Sequence, residues 1–293
     1  MKTVILFLLA LFTICAWAPP VAAAESYDNC TGYVTSVPAV ITTSGTWCLN
    51  KDLSTSISSG TAISINANNV TLNCNDFKIG GLAAGLGTAA VGVGSMQRSN
   101  VTVRRCNVRG FLMGISLAHN SVTPPAPPSG NVIEANRVDG STWIGIDIGS
   151  DGGQVTGNIV TNTGGNLQGS NPMAIQTSFG TDIIGNVVDG MFVDAQSTVP
   201  PYAIVSWNNL GGSISGNRIR SVTSNSWANG IFVASGSAAA VAENTIHISS
   251  PSDSSIACGD ESGSQTVVAR NILLGAGSAI TGCFDGGGNV TPL

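Results

Sequence analysis

Few side chains in this sequence could do chemistry, and three carboxylates stand out among them. Asp147 and Asp151 lie four residues apart, and Asp182 occupies a place like that of Asp151 one repeat later. If the fold gathers them, their oxygens form the donor set of a hard divalent cation, and calcium suits it. The same carboxylates are candidates for general acid–base proton transfer. The plainer reading is that each is an isolated outward Asp that keeps the surface soluble. Arg137 and Arg218, with Arg220 beside the second, could grip carboxylate groups in a bidentate fork. Otherwise they are solvated charges protecting a strand surface. Trp143, Tyr202 and Trp227 lie two to four residues before Ile146, Ile204 and Ile231. Rings aligned on one edge would suit the apolar faces of sugars, and packing under loops is the alternative. His119 and His247 fall in different repeats and no Cys-x-x-Cys occurs, so a zinc-type site has no support.

These residues depend on whatever element repeats around them. The stretch from Asn131 to Val160 (NVIEANRVDGSTWIGIDIGSDGGQVTGNIV) holds two short phrases that recur through the chain. In the first, a small residue precedes Ile or Val, as in Gly145-Ile146-Asp147-Ile148. It falls at Ile63, Val91, Ile115, Ile146, Ile175, Ile204, Ile231, Ile256 and Ile280, at a mean spacing of about 27 residues. In the second, Ile or Val follows one or two residues after Asn. It falls at Asn75, Asn107, Asn136, Asn158, Asn186, Asn217, Asn244, Asn271 and Asn289, and the two series alternate without a miss.

Each phrase supplies only enough apolar residues for a short strand, which cannot bury its face alone. A regular series of such strands predicts stacking. Frequent Gly, the dominance of Val and Ile, and the period of two in Ile146-Asp147-Ile148 exclude a helical repeat. The expected fold is all-β: a single-stranded right-handed parallel β-helix of about nine rungs, each with three strands and three turns. The Asn residues are expected at corners, where they tolerate left-handed backbone and bond from rung to rung. The outward row on the first strand then reads Ser64, Gly92, Ser116, Asp147, Gln176, Val205, Phe232, Ala257 and Thr281. Its polar centre is Ser116, Asp147 and Gln176, which makes Gln176 a further candidate contact.

The ends and composition fill in the setting. Residues 1–24 read as a secretory signal, with Lys2, an apolar run from Val4 to Ala18, and small residues at Ala22-Ala23-Ala24. The run is too short for a membrane anchor and is broken by Pro19 and Pro20. Without Lys2 and Cys15 the chain keeps 10 basic and 16 acidic side chains and six Cys. The secreted protein is expected outside the cell or in the periplasm. Such a low and acidic charge suits nucleic acid poorly. Residues 25–60 are expected to cap the coil, bracketed by Cys30 and Cys48, and residues 61–293 to form the β-helix. Cys74 with Cys106, and Cys258 with Cys283, are about one rung apart; export favours disulfides over neighbouring thiols. Three stretches (120–130, 161–173 and 194–202) exceed the rung length and would wall a groove if they share a face.

The phrases NVTLNCNDFKIGG, NVTVRRCNVRGF, GNIV, GNVV and GNRI, after a Cys-bracketed opening, resemble right-handed parallel β-helix proteins of the pectin-lyase-like superfamily. The likeness is strongest to exported bacterial members known by their β-helix repeats, and it spans nearly the whole chain after the signal. It implies polysaccharide lyases, glycoside hydrolases, pectin esterases or uronate epimerases, but also non-catalytic adhesins and tailspikes. Paired-Asp hydrolase motifs with GHG and RIK are absent, as are WIDH, RxPxxR and DPHE. Lysine is also scarce after the signal, with only Lys51 and Lys78 to serve as a base. The expectation is a secreted protein that engages an extended, acidic polysaccharide or glycan. Lyase-like or hydrolase-like cleavage would use Asp147, Asp151 and Asp182, with or without calcium. The rival is a non-catalytic surface, adhesion or structural protein.

Overall fold

The computed structural model describes residues 29–119, 126–165, 170–193, 199–224, 226–248, 253–259 and 265–291. The signal-like residues 1–24 lie outside them. The chain winds through three parallel sheets in a fixed order, which we call sheets 1, 2 and 3. They hold 10, 11 and 9 strands respectively. One turn of the coil is Ile144–Gly149 in sheet 1, Gln154–Thr156 in sheet 2 and Ile159–Gly164 in sheet 3. Eight such triads follow one another from Thr61–Ile65 to Ile272–Leu274. This is a parallel β-solenoid. The stretch expected as a separate cap also lends a short strand to each sheet: Ala39–Ile41, Gly45–Cys48 and Leu53–Ser54.

Alternation in each strand divides core from surface. In the turn above, Ile146, Ile148, Val155 and Val160 are fully buried, and the same positions repeat from rung to rung. Burying one such side chain stabilises by about 2 kcal/mol, so the stacked core accounts for most of the cohesion. Val91 does not belong to the inward series. Val93 is the partner of both Ile63 and Ile115, whereas Val91 pairs with Thr61 and Met113. The outward row correspondingly contains Gly94 rather than Gly92.

The Asn corners lie between sheets 2 and 3, and they form a continuous ladder. Asn158 donates its backbone N–H to Asn186 Oδ1 at 2.9 Å, and its Nδ2 donates to the same oxygen at 3.0 Å. The pattern is the same at Asn136, Asn186, Asn217, Asn244 and Asn271, ending on Asn289. The amides are buried inside the turn, while the left-handed backbone belongs to the residue before each Asn. Ala135, Gly157, Gly185, Gly216, Glu243 and Arg270 have φ between 52° and 66°. Asn75 and Asn107 are not ladder members. Asn136 Oδ1 accepts from the backbone N–H of Cys106, and the Cys74–Cys106 disulfide fills the inside of the corner where amides would stack. Asn107 is instead a strand residue of sheet 3, paired with Lys78 and Arg137.

The six cysteines among the described residues pair as expected, in Cys30–Cys48, Cys74–Cys106 and Cys258–Cys283. The three long stretches do not share one connection. Residues 119–131 join sheet 1 to sheet 2, whereas 165–172 and 193–201 join sheet 3 to sheet 1. They therefore connect to opposite ends of the sheet 1 strands. Residues 120–125, 166–169 and 194–198 of these connections lie outside the described part.

Candidate functional site

Sheet 1 positions the most distinctive side chains. Its outward row is in register from Ser64 through Gly94, Ser116, Asp147, Gln176, Val205 and Phe232. Ser116 Oγ donates to Asp147 Oδ2 at 2.8 Å, and Gln176 Nε2 donates to Asp147 Oδ1 at 3.0 Å. Three consecutive rungs thus clamp one carboxyl, which is only 9% exposed. Burial raises its pKa above the usual carboxylate value, and the bonds from Ser116 and Gln176 only partly oppose that shift. Such a group keeps its proton to higher pH and is suited to donating it.

Toward the C-terminal rungs the same face becomes aromatic. Tyr202 meets Trp227 edge-on at 5.9 Å and Phe232 at 5.5 Å, and Phe232 meets Trp207 at 6.0 Å. Trp207 and Trp227 remain 41% and 40% exposed, so each offers part of a ring to solvent. Beneath them Ile144, Met173 and Val205 form a small apolar cluster outside the main core, with Trp143 packed against it. Trp143 Nε1 is buried without a hydrogen-bond partner among the described residues. Tyr202 packs against the same cluster, whereas Trp227 is among the exposed large side chains. The sequence placed Phe232 in the outward row without marking it as a contact; it is in register with Val205 on the strand that Tyr202 begins.

The three carboxylates do not come together. Asp147 is on the outer face of sheet 1, and Asp151 is in the turn that leaves it, bridged to Ser129. Asp182 begins a strand of sheet 2, where its Oδ1 accepts the backbone N–H of Ser213 at 2.8 Å. Among the described residues no group of three or more His, Cys, Asp or Glu is placed to share a metal ion. With Asp147 already clamped and Asp182 already accepting, the proposed calcium triad does not fit.

Arg137 and Arg218 lie on sheet 3, away from Asp147. They share one row, linked through Ile159 and Val187. Three rungs separate them, roughly 14 Å at the usual strand spacing, so they cannot grip one carboxylate together. Arg137 lines a groove of about 500 Å³ with Lys78, Asn107, Arg109, Asp139 and Ile159.

No protein-family model matches the chain, and no curated protein matches its sequence. Solved structures do resemble it. One is the mannuronan C-5 epimerase AlgE6 A-module of Azotobacter vinelandii, with 10% identity over 90% of this chain and 91% of that one, at a TM-score of 0.49. Another is DFA-IIIase from Arthrobacter chlorophenolicus A6 in complex with GF2, with 12% identity over 80% and 63% of the two chains, at 0.41. A third is the catalytic unit of a thermostable GH87 α-1,3-glucanase from Streptomyces thermodiastaticus strain HF3-3, with 11% identity over 88% and 62%, at 0.25. At such identities the likeness is one of fold, and each activity belongs to the protein that bears it.

Proposed function

We propose that this chain is an exported β-helix protein of the pectin-lyase-like kind that holds an extended polysaccharide along the outer face of sheet 1. The observation that carries this reading is the outer face of sheet 1, where the axial row of Ser116, Asp147 and Gln176 leads to the cluster of Tyr202, Phe232, Trp207 and Trp227. Strands stack every ~4.8 Å, so a polymer lying along the coil meets successive rungs in register. Half-exposed rings offer apolar faces to sugars, and the clamped polar centre offers hydrogen bonds. The row has no Lys or Arg, which disfavours a phosphate-rich partner. Three disulfides support passage through an oxidising compartment. Among the described residues no helix is long and apolar enough to cross a membrane.

A catalytic reading rests on Asp147. Its burial suits it to give a proton to a departing sugar oxygen while Ser116 and Gln176 hold it in place. Two-carboxylate hydrolysis needs a partner within about 5 to 10 Å on the same face. Asp151 and Asp182 leave that face, so Asp147 stands without them. A purely adhesive or structural coil would use the aromatic strip alone.

The test is co-sedimentation and affinity electrophoresis with neutral and uronate polysaccharides, followed by assays for reducing ends and unsaturated products. The double variant Trp207→Ala/Trp227→Ala is expected to bind at least about tenfold more weakly. Unchanged binding by that variant sinks the sheet 1 reading. Products that vanish in Asp147→Asn assign an enzyme, and binding without products assigns the non-catalytic form.

A further inference from the structure

Sheet 3 carries a groove that the sheet 1 reading does not use. Its outer face brings together Asp52, Lys78, Asn107 and Arg137 in one row and Arg109 and Asp139 in the next. The carboxylates here are already engaged. Asp52 takes Lys78 Nζ at 3.5 Å and the Lys78 backbone N–H at 2.9 Å. Asp76 takes Arg105 at 2.8 Å. Asp139 is the most fully committed: Arg109 Nε reaches Oδ2 at 2.8 Å, while Thr161 and Asn162 donate to Oδ1 at 2.9 and 2.7 Å.

Pairing these groups off leaves one charge. Among the described residues Arg137 makes no ion pair or side-chain hydrogen bond, and it is exposed at the floor of the groove. A local excess of one positive charge is notable in a chain whose net charge is −5. The next residues in its row are Ile159 and Val187, both half-buried, which form an apolar ledge beside the guanidinium. On the other side, Asn107 donates its Nδ2 to the Asp76 carbonyl, which leaves Oδ1 free to accept from a hydroxyl. A fork for one anion, a ledge for a ring face and an acceptor for a hydroxyl together describe one ligand chemistry.

We infer that the sheet 3 groove is a second glycan site, selective for a sugar bearing a single carboxylate, with Arg137 as the residue that recognises it. The inference does not rest on the sheet 1 reading. A bidentate contact between guanidinium and carboxylate supplies the selectivity, because Lys78, Arg105 and Arg109 are already paired with their own carboxylates and Arg137 is left to meet the anion.

The experiment is calorimetric titration of the full secreted chain with oligogalacturonate, its methyl ester and a neutral oligoglucan. The variants are Arg137→Gln, Arg218→Gln and Trp207→Ala/Trp227→Ala, each checked by circular dichroism. Arg137→Gln is expected to weaken oligogalacturonate binding by about tenfold or more, and Arg218→Gln and the Trp pair to leave that site unchanged. Equal affinity for the methyl ester, or no loss in Arg137→Gln, would overturn the inference. An Arg137-dependent preference for a sulfated oligosaccharide would overturn the carboxylate assignment. Binding of the neutral oligoglucan that depends on the Trp pair but not on Arg137 reports on sheet 1 alone, so the two readings fail separately.

Discussion

Removing one amide from the middle of the Asn ladder is the most direct test of what holds the corners. In Asn186→Ala the Asn158 backbone N–H loses its acceptor at 2.9 Å, and the Val155 carbonyl loses its donor at 2.8 Å. Neither group has water to turn to, because Asn158 and Val155 are fully buried. The Asn186 backbone N–H keeps its bond to Asn217, and Asn158 Nδ2 keeps Ile133 O. Two orphaned buried groups at about 1 to 3 kcal/mol each give a loss of roughly 4 kcal/mol. Asn289→Ala, at the half-exposed end of the ladder, is expected to cost only about 1 kcal/mol, because solvent can replace its bonds. Urea unfolding followed by fluorescence measures both, and amide hydrogen exchange at Asn158 reports the local break. A loss below about 1 kcal/mol for Asn186→Ala, or equal losses at the two sites, would refute the reasoning.

Asp147 predicts a pH dependence whose sign is fixed. Burial holds its carboxyl above the ordinary value of 3.8, so the folded chain binds that proton more tightly than the unfolded one. Stability from this group is therefore full below 3.8 and declines as pH rises toward the raised value. Asp147→Asn keeps an acceptor for Gln176 and can hold Ser116 only by reversing that bond, with Nδ2 donating to Oγ, and melting curves across pH are expected to lose that decline. Two glycines separate close packing from backbone strain. A Cβ on Gly145 would stand 2.5 Å from Ala174 O and 2.5 Å from Val160 Cγ1, whereas at Gly157, with φ of 64°, it would meet nothing. Gly145→Ala is expected to lose about 3 kcal/mol and Gly157→Ala about 1 kcal/mol by thermal melting, and the reverse order would contradict the packing. Replacing Cys74 and Cys106 together by Ala opens a 32-residue loop and is expected to cost about 3.7 kcal/mol by the chain-entropy relation.

The fold was readable because stacking forces a periodicity that no other arrangement of short strands needs. Ile146 and Ile148 announced a strand, and Cys spacing near one rung announced which sulfurs would meet. Errors arose where a neighbour could take the same place. Val91 and Val93 both fit the pattern, and only rung pairing selects Val93. Asn107 looked like a corner because Asn follows Cys there, yet the disulfide occupies the corner itself. The site was legible within a row and illegible across a corner. Ser116, Asp147 and Gln176 could be aligned by counting, whereas Asp151 and Asp182 belong to a turn and another sheet. Nearness in sequence says little about direction once the chain bends by a third of a circuit.

The ladder also sets the grain in which this molecule can change length. Each corner amide serves the rung before it and is served by the rung after it, through the same pair of bonds throughout the middle of the coil. A duplicated segment from Asn158 to Gly185 would present the same acceptor backward and the same donors forward as the original. Growth or loss by whole turns therefore leaves every junction chemically familiar. A partial turn would displace the amide from the corner and rotate Asp147 or the aromatic strip off its face. The coil is in this sense quantised, and variation in its length should come in complete circuits.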